Sequence, residues 1–156
     1  KQIMKILPVR GTHDIFGNNL LLYRKAEKTI RKLAFGYGYD EIITPVFESS
    51  DLFKKPLGEL SDVVLKEMYT FEDKNKSFLT LRPEYTTPII RSAISNNLLE
   101  QVPRRVFGIG PMFRRERPQK GRYRQFNQMN FEILGSNDTF ADVELIILSH
   151  ILAYST

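Results

Sequence analysis

The sequence predicts an α+β fold: an antiparallel sheet flanked by helices on one side. Apolar residues at helical spacing are mixed with short alternating runs, without the regular strand–helix–strand rhythm of a parallel sheet. The 156 residues, 42% hydrophobic and 26% charged, suffice for one globular core. No internal repeat or linker-like stretch divides them, so residues 1–156 are expected to belong to one domain.

Asn18 and Asn19 are candidate caps for a first helix ending near residue 37. Within it Leu22, Ala26, Ile30, Leu33, Ala34 and Tyr37 recur at helical spacing, while Arg24, Lys25, Lys28, Arg31 and Lys32 face elsewhere. Gly36 and Gly38 are natural stops. Glu41, Ile42 and Ile43 read as a short strand ended by Pro45. Residues 68–71 and 78–81 read as paired strands around the polar turn 72–77. A helix over about 86–99 and a strand over about 105–109 follow. Segment 112–134 reads as two strands joined by a loop, because Pro118 and Gly121 disfavour a continuous element. A last helix starts near Asp138, with Val143, Ile146, Ile147 and Ile151 as its apolar face.

Several chemistries are excluded early. There is no cysteine, hence no disulfide, thiolate zinc site or cysteine nucleophile. His13 and His150 stand far apart, and neither has metal-ligand spacing. No Walker A or G-x-S-x-G pattern occurs, and Gly108-Ile109-Gly110 lacks the third glycine and following helix of a dinucleotide fingerprint. His13, beside Asp14 in a polar loop, reads as a surface or capping residue rather than a base. His150, on an otherwise apolar helix face, reads as a core or interface residue. The apolar run 6–9 is too short for a signal peptide, and 143–154 is too short to span a bilayer. With no export signal and no cysteine, a cytoplasmic address is expected. The chain starts at Lys1 and stops at Thr156 without a helix stop signal, so a trimmed piece of a longer chain is expected.

The formal charge of +5 is localised. Residues 114–124, RRERPQKGRYR, hold six of the 23 Lys and Arg and one of the 18 Asp and Glu, leaving seventeen of each elsewhere. Such a loop repels itself unless it meets an anionic partner, and Tyr123 adds a ring that can stack on a base. An ordinary exposed loop is the alternative.

Strand alternation places Arg114 and Glu116 on one side of a strand, and Phe126, Gln128, Asn130 and Glu132 on one side of the return strand. These polar groups are costly to bury without ligand or partner groups. A solvated face with cross-strand salt bridges satisfies the same pattern. A second cluster, Leu81-Arg82-Pro83-Glu84-Tyr85-Thr86, falls where a strand gives way to a helix. It serves a site, or else Arg82 pairs with a nearby carboxylate and Thr86 only caps.

Gly38-Tyr39-Asp40-Glu41-Ile42-Ile43-Thr44-Pro45 resembles motif 1 of class II aminoacyl-tRNA synthetases. Phe113-Arg114-Arg115-Glu116, the loop, and Arg124-Gln125-Phe126 resemble motif 2. More narrowly, Val9-Arg10-Gly11-Thr12, Lys66-Glu67-Met68-Tyr69-Thr70-Phe71, Leu81-Arg82-Pro83-Glu84, Gly110-Pro111-Met112-Phe113-Arg114 and the unbroken run 116–126 together resemble histidyl-tRNA synthetase. The likeness runs from about residue 9 to 148, and the joint order of the motifs makes it specific.

The resemblance implies a class II catalytic core and a homodimer formed through the motif 1 region. It implies a histidine–tRNA ligase: histidine's carboxylate attacks the ATP α-phosphate, pyrophosphate leaves, and the histidyl-adenylate acylates the 3′ end of tRNA(His). Carried over by position, Arg114 is similar to the arginine that holds the α-phosphate and the histidine carboxylate. Glu116 resembles the acid that meets the adenine amino group, and Phe126 the ring beneath adenine. Glu84, Thr86 and Gln128 resemble the contacts of the histidine amino group, and Glu132 the acceptor for the imidazole. Arg122 lies where the loop closes over the nucleotide, and Gln119 and Lys120 are candidates for the tRNA acceptor end. ATP is implied as substrate and Mg²⁺ as its companion, with no metal site assigned.

Tyr85 departs from the pattern, which has a small residue there. Motif 3 and the anticodon-binding domain are not found, so the chain is expected to be the front part of the catalytic domain, lacking one wall of the ATP site. Two other readings compete: a synthetase-like regulatory subunit that binds histidine or a partner enzyme without charging tRNA, and an RNA-binding module using the loop alone. The first predicts erosion of Arg114, Glu116 and the loop, all of which are intact.

Overall fold

Two ten-residue antiparallel strands organise the chain, and burial on both faces of the first explains why the sequence shows it without clean alternation. The computed structural model describes residues 5–54 and 67–155; Lys1, Lys66 and Thr156 of the sequence reading lie outside them. Helix α1 (Gly17–Gly36) is followed by strand β1 (Asp40–Glu41), strand β2 (Phe47–Ser49) and helix α2 (Ser50–Lys54). Strands β3 (Tyr69–Glu72) and β4 (Phe78–Leu81) precede helix α3 (Thr86–Ser95) and a 3₁₀ turn at Leu98–Glu100. Strands β5 (Arg104–Phe113) and β6 (Gln125–Leu134) and helix α4 (Thr139–Ser155) complete the order.

Among the described residues two three-stranded sheets form, ordered β1-β5-β6 and β2-β4-β3. All pairs are antiparallel except β1 with β5, where Asp40 meets Val106 and Glu41 meets Phe107 in parallel register. The expected strand at 41–43 is thus seated slightly earlier, although the Ile42 N–H still donates to the Phe107 carbonyl at 2.8 Å. The expected break between 109 and 112 is absent. Pairing with β6 runs unbroken from Arg104–Leu134 to Phe113–Gln125, so one long strand replaces two short ones. Strand β2 was not foreseen, because three residues are too few to show a period.

Helix α1 is capped differently from expectation. Asn18 and Asn19 lie inside it, Phe16 is the N-cap without a side-chain bond, and Gly17 makes the entry turn at φ +58°. Its C-terminus does stop on Gly38. The Tyr39 N–H donates to the Ala34 carbonyl at 2.9 Å and the Gly38 N–H to Phe35 at 3.1 Å, with Gly38 at φ +77°. That is a Schellman closure. Helix α3 ends at Ser95, before Asn97 turns left-handed, so it is shorter than the expected 86–99.

One core lies between the β1-β5-β6 sheet and helices α1 and α4, built on Ile30, Ala34, Tyr39, Phe107, Leu148 and Leu152. Of the apolar face expected for α1, Ile30 and Ala34 are buried, whereas Leu22 is 65% exposed. A second core lies on the opposite face of the sheet: Tyr85, Ile89, Val106 and Met112. Helices therefore cover both faces of this sheet, not the one side expected, because β5 carries apolar residues toward each face.

The face expected for α4 is the wrong one. Ile146 is 69% exposed, and Val143 and Ile147 are also exposed, while Leu148 and Leu152 are buried. Glu144 sets this rotation. It accepts two bonds from Arg105 of β5, both at 2.8 Å, and one from the Tyr39 hydroxyl at 2.9 Å. His150, expected in a core or interface, is exposed beside Tyr154.

The Arg105 bonds, then the Tyr39 hydroxyl, hold the Glu144 carboxyl below its ordinary pKa despite the opposing push of burial. Its stabilisation is therefore full above the unfolded value of about 4.3 and is lost as pH falls through the lower folded value. Glu144→Gln is expected to flatten the fall of the urea-unfolding midpoint as pH drops below about 5. Parallel curves for the two proteins would show that this group contributes nothing.

The charge-balanced body pairs its own ions. Arg31 meets Glu41 at 2.9 Å, Arg91 meets Glu48 at 2.6 Å, and Arg104 meets Asp40 at 2.7 Å. Among the described residues, no helix is long and apolar enough to cross a membrane.

Candidate functional site

Alternation along β6 sends Phe126, Gln128, Asn130 and Glu132 to one face, opposite Met112, Gly110, Gly108 and Val106 of β5. The two glycines leave that face bare. A Cβ on Gly108 would overlap the Tyr85 ring, and one on Gly110 would overlap the Arg82 guanidinium. The pair set aside above as a failed phosphate loop is thus what lets segment 82–86 lie flat on the sheet. Tyr85, in the position expected to be small, is fully buried and donates its hydroxyl to the Ile42 carbonyl at 3.2 Å.

Arg82 is 2% exposed. Its partners are carbonyls rather than the expected carboxylate: Thr44 at 2.8 Å and Pro111 at 3.0 Å, with the Thr44 hydroxyl at 3.0 Å. Its guanidinium lies 4.3 Å from the Tyr85 ring centroid. Thr86 does not cap. Its hydroxyl donates to Glu132 Oε1 at 2.7 Å, and Asn130 Nδ2 donates to the same oxygen at 2.7 Å. The capping acceptor is Glu84, whose carboxylate takes the Thr87 N–H at 3.0 and 3.2 Å.

Arg114 lies just beyond β5 rather than on a strand. Its Nε donates to the Pro83 carbonyl at 2.8 Å, and its guanidinium stands 5.1 Å from the Phe126 ring centroid. Glu116 lies between two cations, 4.0 Å from Arg114 and 3.9 Å from Arg122. These groups line a cavity of about 650 Å³ with Glu67, Gly121, Tyr123 and Asn127. Cation, acid and aromatic ring at one open cavity can hold an anionic nucleotide: the guanidinium meets phosphate and the ring meets a base.

Of the residues singled out in the sequence, Arg114, Glu116, Arg122 and Phe126 come together at this cavity. Thr86 and Glu132 meet at the start of α3, where Glu84 accepts the Thr87 N–H, and the adjoining Pro83 carbonyl holds Arg114 of the cavity. Gln128 is half-buried on the same strand face and also borders a 190 Å³ cavity against α1. Gln119 and Lys120 do not line the large cavity. Gln119 and Arg122 exchange backbone bonds at 3.3 and 2.9 Å, which makes Lys120-Gly121 an exposed tight turn with Gly121 at φ +80°. Asn130 enters the carboxylate cluster unforeseen as a site residue, although its place in the alternating polar set marked it. Glu67 carried no such spacing signal. Among the described residues, no cluster of three or more His, Asp or Glu could hold a metal ion.

Comparison with known proteins adds sequence and fold relationships. The family model for histidyl-tRNA synthetase matches residues 11–154. The histidine–tRNA ligase of Rhodospirillum rubrum is 52% identical over 141 residues, 90% of this chain and 34% of that protein. That of Gluconacetobacter diazotrophicus is 50% identical over the same shares. The chain thus spans about a third of the length of these curated relatives. The crystal structure of apo S. aureus histidyl-tRNA synthetase superposes with a TM-score of 0.81 at 35% identity, over 97% of this chain and 35% of that one.

Proposed function

The chain belongs to the histidyl-tRNA synthetase family, and from that premise we propose that it forms the front part of a catalytic domain that activates histidine and charges tRNA. The observation that carries this reading is the seating of Arg114. It is tied to Pro83 beside the Thr86–Asn130–Glu132 cluster and stands over Phe126 at the large cavity. A guanidinium there faces both reactants, the carboxylate of an amino acid on one side and a nucleotide phosphate on the other.

In the proposed reaction a carboxylate oxygen of histidine attacks the α-phosphorus of ATP. The bond from that phosphorus to the pyrophosphate oxygen breaks, and pyrophosphate leaves. Arg114 neutralises charge gathering on the α-phosphoryl oxygens without a proton transfer. Phe126 supports the adenine ring, Glu116 accepts from its amino group, and Arg122 closes over the nucleotide. Glu84, Thr86 and Gln128 hold the histidine ammonium. Glu132, its Oε1 already oriented by two donors, accepts from the imidazole. A terminal ribose hydroxyl of tRNA then attacks the acyl carbon and AMP leaves, with Gln119 and Lys120 at the acceptor end. Mg²⁺ accompanies ATP as its counter-ion, since hard cations bind mainly through substrate phosphates and water.

A homodimer through the motif 1 region fits the exposure of Ile43 at 79%, with Val46 and Phe47 also exposed. A cytoplasmic address fits the absence of cysteine. The reaction is tested by histidine-dependent exchange of labelled pyrophosphate into ATP by the complete catalytic domain that contains this chain, with tRNA omitted. Exchange that ignores histidine would overturn the proposal.

Glu132→Ala is expected to weaken histidine binding about 10- to 100-fold, the worth of a hydrogen bond to a charged group, and to leave RNA binding nearly unchanged. Titration calorimetry with histidine checks this. Unchanged affinity would remove Glu132 from the pocket.

A further inference from the structure

The N-terminal segment 9–13 is used by none of the chemistry above, yet it is fastened to the base of the basic loop. The Thr12 N–H donates to the Val9 carbonyl at 2.9 Å and its hydroxyl to the same oxygen at 2.7 Å, closing a tight turn. Gly11 occupies the turn position that needs positive φ, at +88°. Its carbonyl, so presented, accepts the Arg124 N–H at 2.7 Å. A Cβ on Gly11 would stand 2.8 Å from Arg124 Cγ and 3.0 Å from Pro118 Cγ, so the glycine permits the close approach. Two residues on, the His13 ring packs on Tyr123 at 4.7 Å between centroids.

The Arg124 peptide is engaged on both sides. Its N–H reaches Gly11, and its carbonyl accepts the Arg114 N–H at 2.9 Å. A continuous line of backbone bonds therefore runs from Gly11 through Arg124 to Arg114, and the ring contact adds a second point of attachment at Tyr123, which borders the large cavity. The loop carries six cations and one acid, so its own repulsion favours spreading. A fastening at its base opposes that.

We infer that residues 9–13 form a strap that positions the loop 114–124 for nucleotide binding, with Gly11 and His13 as positioning residues. The role at the nucleotide rests on the proposed function; the strap itself does not. Gly11→Ala is expected to speed amide hydrogen exchange at Arg114 and Arg124 about tenfold or more, while exchange at Val106 and Asn130 within the β5–β6 ladder stays unchanged. His13→Ala, which leaves the backbone free to fold, is expected to accelerate tryptic cleavage after Lys120 and Arg122 several-fold, and His13→Phe to restore the slow rate. In calorimetry, both Gly11→Ala and His13→Ala are expected to weaken ATP binding about 5- to 10-fold and to change histidine binding less than twofold. Unchanged amide protection at Arg114 and Arg124 together with unchanged cleavage would overturn the strap. Lost protection with unaltered ATP affinity would overturn its positioning role. If the unsubstituted complete catalytic domain, in which the ATP titrations are made, binds no ATP, the reading of the site fails, and amide protection and cleavage still decide the strap.

Discussion

Arg114→Lys in the complete catalytic domain is expected to lower histidine-dependent ATP–pyrophosphate exchange about 100- to 1000-fold, the usual loss when a preorganised donor is taken from developing transition-state charge. Lysine keeps the charge, so the loss isolates geometry. The guanidinium is held by Nε on the Pro83 carbonyl at 2.8 Å and stands 4.0 Å from Glu116, which leaves terminal donors able to face a phosphate and a carboxylate together. An ammonium has no planar fork, is more strongly hydrated, and stacks less well over a ring. Phe126, 5.1 Å from the guanidinium, would lose that partner too. The loss should fall more heavily on the exchange rate than on histidine affinity, because charge on phosphorus grows only as the bond to pyrophosphate breaks. A loss below about threefold would place the reacting phosphate elsewhere.

Arg82→Met is expected to cost about 2–4 kcal/mol of stability, since buried carbonyls lose their donor at about 1–3 kcal/mol each and the relief of desolvating a charge offsets part of it. The carbonyls are those of Thr44 and Pro111, and the Thr44 hydroxyl loses a partner with them. For a chain of this size the shift corresponds to about 5–12 °C in melting temperature. Urea unfolding and thermal scans measure it, and an unchanged m-value would confirm that two-state unfolding is retained. The effect should reach the site. The Arg82 carbonyl accepts the Phe113 N–H at 3.0 Å, and the neighbouring Pro83 carbonyl holds Arg114. A cost below about 1 kcal/mol would mean that these carbonyls find other donors.

Much of the architecture is legible in local pattern. The helix ending at the Gly38 turn, the hairpin around 72–77, and the two strands flanking the basic loop all declare themselves through periods and turn residues. The polar set on β6 is legible as well, because a strand fixes the side of every second residue. The misread features share a cause. Helix α4 carries apolar residues almost all round, so composition cannot choose its buried face; Glu144, bonded to Arg105 and Tyr39, chooses it. Gly108 and Gly110 look like a defective fingerprint until Tyr85 and Arg82 are seen lying on them. The partners of Arg82 are main-chain carbonyls, which no side-chain pattern announces.

By itself the sequence determined the α+β class, the order of the motifs and the confinement of the net charge to residues 114–124. Each rests on short-range regularity or on counting, and neither needs a partner distant along the chain. Only the tertiary structure decided that helices cover both faces of the sheet, that Arg82 is held by carbonyls, and that Gly11 is bonded to Arg124. These are pairings across tens of residues or more, where an amide or guanidinium out of water takes whichever acceptor the packed backbone presents.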